Sequence, residues 1–202
     1  MVFDMKKVIF ATSNEGKMDE IRDILKDLDM ELLSLKDAGL HPQIEENGKT
    51  FEENAIIKAK AVMELTGEMV LADDSGLEVD YLGKAPGIYS ARFLGEDTPY
   101  SIKNQYIIDQ LVNAKGEERS ARFVCVIALA LPSGEVITSK GIIEGYIADK
   151  ISGEHGFGYD PIFYVPEFQC TTAELSFEQK NKISHRGIAL SKMKEILKQY
   201  LL

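Results

Sequence analysis

The most demanding stretch of this chain is Phe123-Val124-Cys125-Val126-Ile127-Ala128-Leu129-Ala130-Leu131, nine apolar residues in a row, closed by Pro132-Ser133-Gly134. Nine residues are too few to cross a bilayer as a helix, which takes about 20. A short apolar run that ends at a turn signal reads as a strand. Residues 121, 123, 125, 127 and 129 alternate with 122, 124, 126 and 128, and both sets are largely apolar, so the strand needs cover on both faces. Residues 135–147 return after the turn as its hairpin partner.

The rest of the chain supplies that cover. Residues 6–12 form an apolar, β-branched strand broken by Ser13-Asn14-Glu15-Gly16, after which Met18, Ile21, Ile24, Leu25 and Leu28 recur at helical spacing. Residues 31–35 are a second strand. Thr50-Phe51-Glu52-Glu53 is a capping box opening a helix whose inner stripe is Ala55, Ala59, Val62 and Met63. Residues 69–72 are expected to be a short buried strand ended by Asp73-Asp74-Ser75-Gly76. Residues 99–112 form a third helix, and a glycine-rich loop at 153–159 leads into Asp160-Pro161. The last helix is expected to start near Ser184 and run to the end, with Ile188, Ala189, Met193, Ile196 and Leu197 inward. Strands alternating with helices, then a hairpin, predict an α/β fold: a mixed twisted sheet flanked by helices. No repeat or linker divides the 202 residues, so residues 1–202 are expected to form a single domain.

Charge and cysteines narrow the function. A formal net charge of -10 argues against sequence-independent binding of nucleic acid, which needs a basic face. It leaves room for a nucleotide site built from local cations and a metal. Met1 to Met5 run straight into strand-like Val8-Ile9-Phe10-Ala11, with no secretory apolar segment, and no membrane anchor is expected. Cys125 and Cys170 make neither a disulfide framework nor a metal cluster, and Cys125 reads as a small core residue. A cytoplasmic location is expected.

Five segments can carry chemistry. Thr12-Ser13-Asn14-Glu15-Gly16-Lys17 lies between a strand and a helix, where free N–H groups and the helix dipole attract anions; it lacks the Walker pattern. Asp73-Asp74-Ser75-Gly76 follows a buried strand, a common place for ligands. Adjacent residues point opposite ways, so one aspartate faces the cleft and the other holds the loop; the spacing does not say which. Either suits Mg2+, which takes a few hard oxygens and keeps its waters. Glu45, Glu46, Glu52 and Glu53 are further acid candidates. Asn54 and Lys58 lie one turn apart on one helix face. Gly156-Phe157-Gly158-Tyr159-Asp160-Pro161 offers an aromatic ring to stack on a base and backbone donors to read its edge. Finally, Lys180 precedes Ser184-His185-Arg186, cations at a helix start that make sense facing an anion or a carbonyl oxygen.

In this order the segments resemble the inosine triphosphate pyrophosphatase family, house-cleaning enzymes that convert deaminated purine triphosphates (ITP, dITP, XTP) to the monophosphate and pyrophosphate. Thr12, Asn14 and Lys17 match the family's T-x-N-x-x-K start, and Phe51, Glu53, Asn54 and Ala55 its F-x-E-N-A helix. Residues 72–77 match A-D-D-S-G-L, and Pro86, Gly87, Tyr89, Ser90, Ala91 and Arg92 match P-G-x-Y-S-A-R. Residues 156–161 match G-F-G-Y-D-P, and residues 183–186 match I-S-H-R. The match spans nearly the whole chain; Ser13, where many relatives carry glycine or threonine, is the one departure.

The resemblance implies an elongated α/β fold with two lobes around a central cleft, a homodimer, and Mg2+ as cofactor. It implies that Asp74 is the catalytic aspartate near the metal and Glu46 the second metal ligand. Residues 12–17, with Ser75 and Lys180, would serve the triphosphate end; Phe157, Gly158, Tyr159, Asp160, His185 and Arg186 would serve the base. Lys58 would join Lys17 in stabilising the leaving pyrophosphate. Two other readings are a Maf-like pyrophosphatase of pyrimidine or modified triphosphates and a nucleotide-binding protein without turnover.

Overall fold

The computed structural model describes residues 5–201. Strand β1 (Lys6–Phe10) leads into helix α1 (Glu15–Leu25) and β2 (Met30–Ser34); then follow α2 (Phe51–Thr66), β3 (Met69–Val79) and α3 (Tyr100–Gln110). Next come β4 (Ser120–Ala130), β5 (Val136–Ile147), β6 (Phe163–Val165) and β7 (Cys170–Thr171), and the chain ends in α4 (Phe177–Ile183) and α5 (His185–Leu201). The strands form one seven-stranded sheet in the order β2-β1-β3-β4-β5-β6-β7. β1 is parallel to β2 and β3, whereas β6 is antiparallel to β5 and β7, so the sheet is mixed as expected.

β4 bears out the reading of the apolar run, since Ala121 and every residue from Phe123 to Leu131 are buried. Cys125 lies among them. Burial first, and the nearby Asp73 charge second, push its thiol up to about 12, which keeps it a core residue.

The chain divides into two compact units. The first holds the chain up to Asp74, Cys125–Gly141 and everything from Arg186 on; the second holds Ser75–Val124 and Ile142–His185. In the first, Val8 and Phe10 of β1, Met18, Ile21 and Leu25 of α1, and Ala189, Leu190, Met193 and Leu197 of α5 share one apolar core with Cys125, Ile127 and Leu129. In the second, Leu77, Val79, Ile107, Leu111, Phe123, Tyr159, Ile162 and Phe163 form another.

Two elements differ from expectation. β3 does not stop at Ala72 but runs eleven residues to Val79, so the Asp73-Asp74 pair lies inside a strand. An acidic pair breaks strands when its carboxylates turn back onto the local backbone. Here both reach cations and an amide from distant segments, and the backbone stays extended. The second difference is α4, absent from the sequence reading. Its seven residues are too few for a period, yet Ser176 and Gln179 cap it reciprocally: Ser176 Oγ accepts from the Gln179 N–H and Gln179 Oε1 from the Ser176 N–H.

α2 starts at the expected cap, with half of the expected box. Thr50 Oγ1 accepts the Glu53 N–H at 3.1 Å, while the Glu53 carboxylate takes the N–H of Lys49. Thr50→Ala should lower the unfolding free energy by about 1 kcal/mol in a urea titration, with an unchanged m-value.

Candidate active site

In the first unit, the β1–α1 junction orders its own backbone with its polar side chains. The Asn14 N–H donates to Thr12 Oγ1 at 3.1 Å, and the Lys17 N–H donates to Asn14 Oδ1 at 3.0 Å. The N–H groups of Glu15 and Gly16 remain without a hydrogen bond among the described residues, at the positive end of α1. Ser13 and Glu15 are exposed there.

Inside β3, alternation sends the two aspartates to different partners. Asp73 is buried; Lys17 Nζ meets both its oxygens at 2.9 Å. Arg186 holds Asp73 Oδ2 through one terminal nitrogen at 3.2 Å and Glu20 Oε2 through the other. Burial alone would push the Asp73 carboxyl up. Lys17, Arg186 and Lys58 overcome that and hold it far below the usual carboxylate range.

Asp74 faces a different set. Asn54 Nδ2 donates to its Oδ2 at 3.1 Å, and Lys58 Nζ lies 3.6 Å from its Oδ1 and 3.0 Å from Glu46 Oε2. Asn54 is fully buried and also accepts the Gly48 N–H at 2.9 Å, which ties the segment carrying Glu46 to α2. Only glycine fits at 48, because a Cβ would stand 2.6 Å from Asn54 Oδ1. Burial raises the Asp74 pKa, and the neighbouring Glu46 and Asp73 carboxylates add to this against Lys58 and Asn54. Burial pulls the Lys58 pKa down, but the Asp73, Asp74 and Glu46 carboxylates outweigh it and raise it.

Four carboxylates here (Glu20, Glu46, Asp73, Asp74) meet three cations (Lys17, Lys58, Arg186), a surplus of one negative charge centred on Asp74 and Glu46. No group of three or more Asp, Glu, His or Cys that could hold a metal occurs among the described residues. Mg2+ is commonly bound by one or two carboxylates plus substrate phosphates and water. The under-neutralised Asp74–Glu46 pair fits that demand.

In the second unit, the loop at 156–160 is closed by Asp160. Its Oδ2 accepts the Phe157 N–H at 2.8 Å and Lys180 Nζ at 2.6 Å, and its Oδ1 accepts the Thr172 hydroxyl at 2.8 Å. Gly156 is obligatory: it has φ +75°, and a Cβ would meet Asp160 Oδ2 at 2.2 Å. Lys180 also lies 4.8 Å from the Phe157 ring centroid. Tyr159 is buried and donates its hydroxyl to Ser90 O at 2.7 Å. His185, the first residue of α5, is stacked on Phe123 with ring centroids 4.7 Å apart. Ser75 is half-buried on β3.

Known proteins resemble this chain over nearly its whole length. The model of the Ham1 family matches residues 8–196. The chain belongs to the Ham1 family. A dITP/XTP pyrophosphatase of Clostridium perfringens is 49% identical over 203 residues, covering 98% of this chain and all of the relative. One from Bacillus subtilis is 47% identical over 193 residues, 96% of this chain and 98% of the relative. Among solved structures, a HAM1 protein from Coxiella burnetii has a TM-score of 0.88 at 42% identity, covering 96% of this chain and 100% of that one. The Ham1 protein of Staphylococcus aureus gives 0.86 at 42% identity, with the same coverage.

Within this Ham1-family chain, several residues expected to touch substrate are engaged in shaping the site. Arg186, expected at the base, is buried in the first unit's ion cluster. Asn14 caps α1, and Thr12 holds the Asn14 N–H. Tyr159 and Asp160 fix the loop, and the Phe157 N–H, expected as a base reader, is bound to Asp160. Lys180, expected at the triphosphate end, shares its cluster with Phe157. Glu20, Thr172 and Phe123 were missed. Glu20 sits one turn after Lys17, the one local hint of its place. Asp73→Asn leaves Arg186 and Lys17 facing a neutral group, so it should cost about 3–5 kcal/mol in chemical unfolding at pH 7. Because the folded pKa is depressed, Asp73's stabilising contribution is present above the unfolded aspartate pKa of about 3.9 and fades as pH falls through the folded value. The gap between wild type and variant should therefore shrink in acid.

Proposed function

We propose that this protein hydrolyses deaminated purine nucleoside triphosphates, dITP, ITP and XTP, to the monophosphate and pyrophosphate. The observation that carries this reading is Asp74, held by Asn54 beside Lys58 and Glu46, in a chain whose near full-length relatives bear the name dITP/XTP pyrophosphatase. The Maf-like and non-catalytic readings are not favoured.

Asp74 and Glu46 are the residues that would hold Mg2+, whose bound charge offsets that of the triphosphate tail. Asp74 orients the water that attacks the α-phosphorus; the bond from that phosphorus to the bridging oxygen breaks and pyrophosphate leaves. Lys17 has three N–H donors and spends two on Asp73, so one remains for a phosphate oxygen. Lys58 and the Glu15 and Gly16 N–H groups add donors that are in place before the substrate arrives, the arrangement that stabilises developing charge most. For the base, Phe157 supplies a stacking face, the Gly158 and Tyr159 N–H groups supply donors, and His185 lies flat on Phe123. A donor opposite the 6-position pairs with the carbonyl of hypoxanthine or xanthine. Facing the amino group of adenine it is left unpaired, at about 1–3 kcal/mol. The protein acts as one functional domain and a homodimer in this reading, on the free nucleotide pool of the cytoplasm. No helix among the described residues is long and apolar enough to cross a membrane.

Pyrophosphate release tests the proposal. dITP and XTP should be cleaved with Mg2+ and far more slowly after chelation, and kcat/KM should favour dITP over dATP; equal values would end the base assignment. Asp74→Asn should lower kcat by ~10²-fold or more, and near-normal turnover would remove Asp74 from the chemistry. Lys17→Ala should mainly raise KM.

A further inference from the structure

α3 meets the loop at 156–160 through two residues one turn apart. Asn104, 2% exposed, donates Nδ2 to Gly158 O at 3.1 Å. Tyr100 stands edge-on to Tyr159 with centroids 5.1 Å apart, and its ring is what a Cβ on Gly158 would touch, at 3.6 Å. Gly158 itself has φ +68°. With glycines at 156 and 158 the backbone has little preference of its own, so its conformation is imposed from outside. Asp160 fixes the Phe157 end of the loop, and Asn104 fixes the Gly158 carbonyl.

Asn104 does this at a cost. Its Oδ1 is buried and has no hydrogen-bond partner among the described residues. A buried acceptor without a donor destabilises the fold, and an apolar side chain of similar shape would avoid that. What an apolar residue lacks is the bond to Gly158. The position therefore carries a polar group that folding alone does not favour, aimed at the segment that bears Phe157.

We propose that Asn104 is a positioning residue for base selection, locking the Gly158 carbonyl so that Phe157 and the adjacent N–H groups meet the purine in one orientation. This rests on the reading that the loop holds the base. Asn104 acts through the loop and touches no phosphate.

The test uses Asn104→Leu, with Asn104→Ala as a smaller replacement should leucine overpack. Titration calorimetry measures affinity for dIMP and for inorganic tripolyphosphate; kinetics give kcat and KM for dITP and dATP; thermal unfolding gives Tm. Loss of one hydrogen bond predicts dIMP binding about threefold to tenfold weaker and a similar fall in the dITP/dATP ratio of kcat/KM. The loss should lie in KM for dITP, with tripolyphosphate affinity unchanged and the Tm of Asn104→Leu equal to or above wild type. Unchanged dIMP affinity and discrimination in both variants would overturn the proposal. So would parallel weakening of dIMP and tripolyphosphate with a lowered Tm, which marks a purely structural residue. Wild-type protein that binds dIMP no better than dAMP would instead sink the base reading beneath it.

Discussion

The first unit is organised around one guanidinium. Arg186 is buried, with one arm on Glu20 of α1 and the other on Asp73 of β3, so three elements are held at one point. Taking such charges out of water is costly, and only a closely matched set offsets the cost. The match extends to Lys17, whose ammonium closes on both oxygens of Asp73. Because β3 is extended, fixing Asp73 inward also fixes Asp74 on the opposite side, where Asn54, Lys58 and Glu46 receive it. A buried carboxylate held by two cations thus sets the direction of the neighbour assigned to chemistry.

The second unit solves a similar problem without a central cation pair of that size. Its loop uses glycines to reach backbone angles that other residues resist, and then recovers a single conformation through side chains around it: Asp160 with Lys180 and Thr172, Tyr159 with Ser90, Asn104 with Gly158. In both units many of the polar residues spend their hydrogen bonds on other protein groups. Asp73, Arg186, Asp160 and Tyr159 are of this kind, and all four are buried.

Much of the architecture was legible. Apolar patterning located β1, α1, α2, β4 and α5, because each buries one stripe or a whole strand, and the turn at Pro132-Ser133-Gly134 located β5. The motif order pointed to the family. What stayed hidden depends on partners far away in sequence. Asp73-Asp74 reads locally as a turn, and it is distant partners, Lys17 and Arg186 for Asp73 (56 and 113 residues away) and Asn54 and Lys58 for Asp74, that hold it as a strand interior. Arg186 at a helix start reads as an exposed anion binder; its burial follows from Glu20, 166 residues distant. Asn104 looks like an ordinary polar position on α3, and its bond to Gly158 spans 54 residues. The capping pair Ser176 and Gln179 was a local signal for α4.

The unbroken course of β3 makes the two acids positional twins with fates set by parity. Inserting or deleting one residue just upstream of Asp73 would send both to the opposite face at once, taking Asp73 away from Arg186 and Asp74 away from Asn54. A length change that keeps these partners has to fall in the connections around this strand, such as the Gly67-Glu68 corner before it, where the left-handed Gly67 ends α2. Drift in this sequence can alter β3 by replacement, but not by indels.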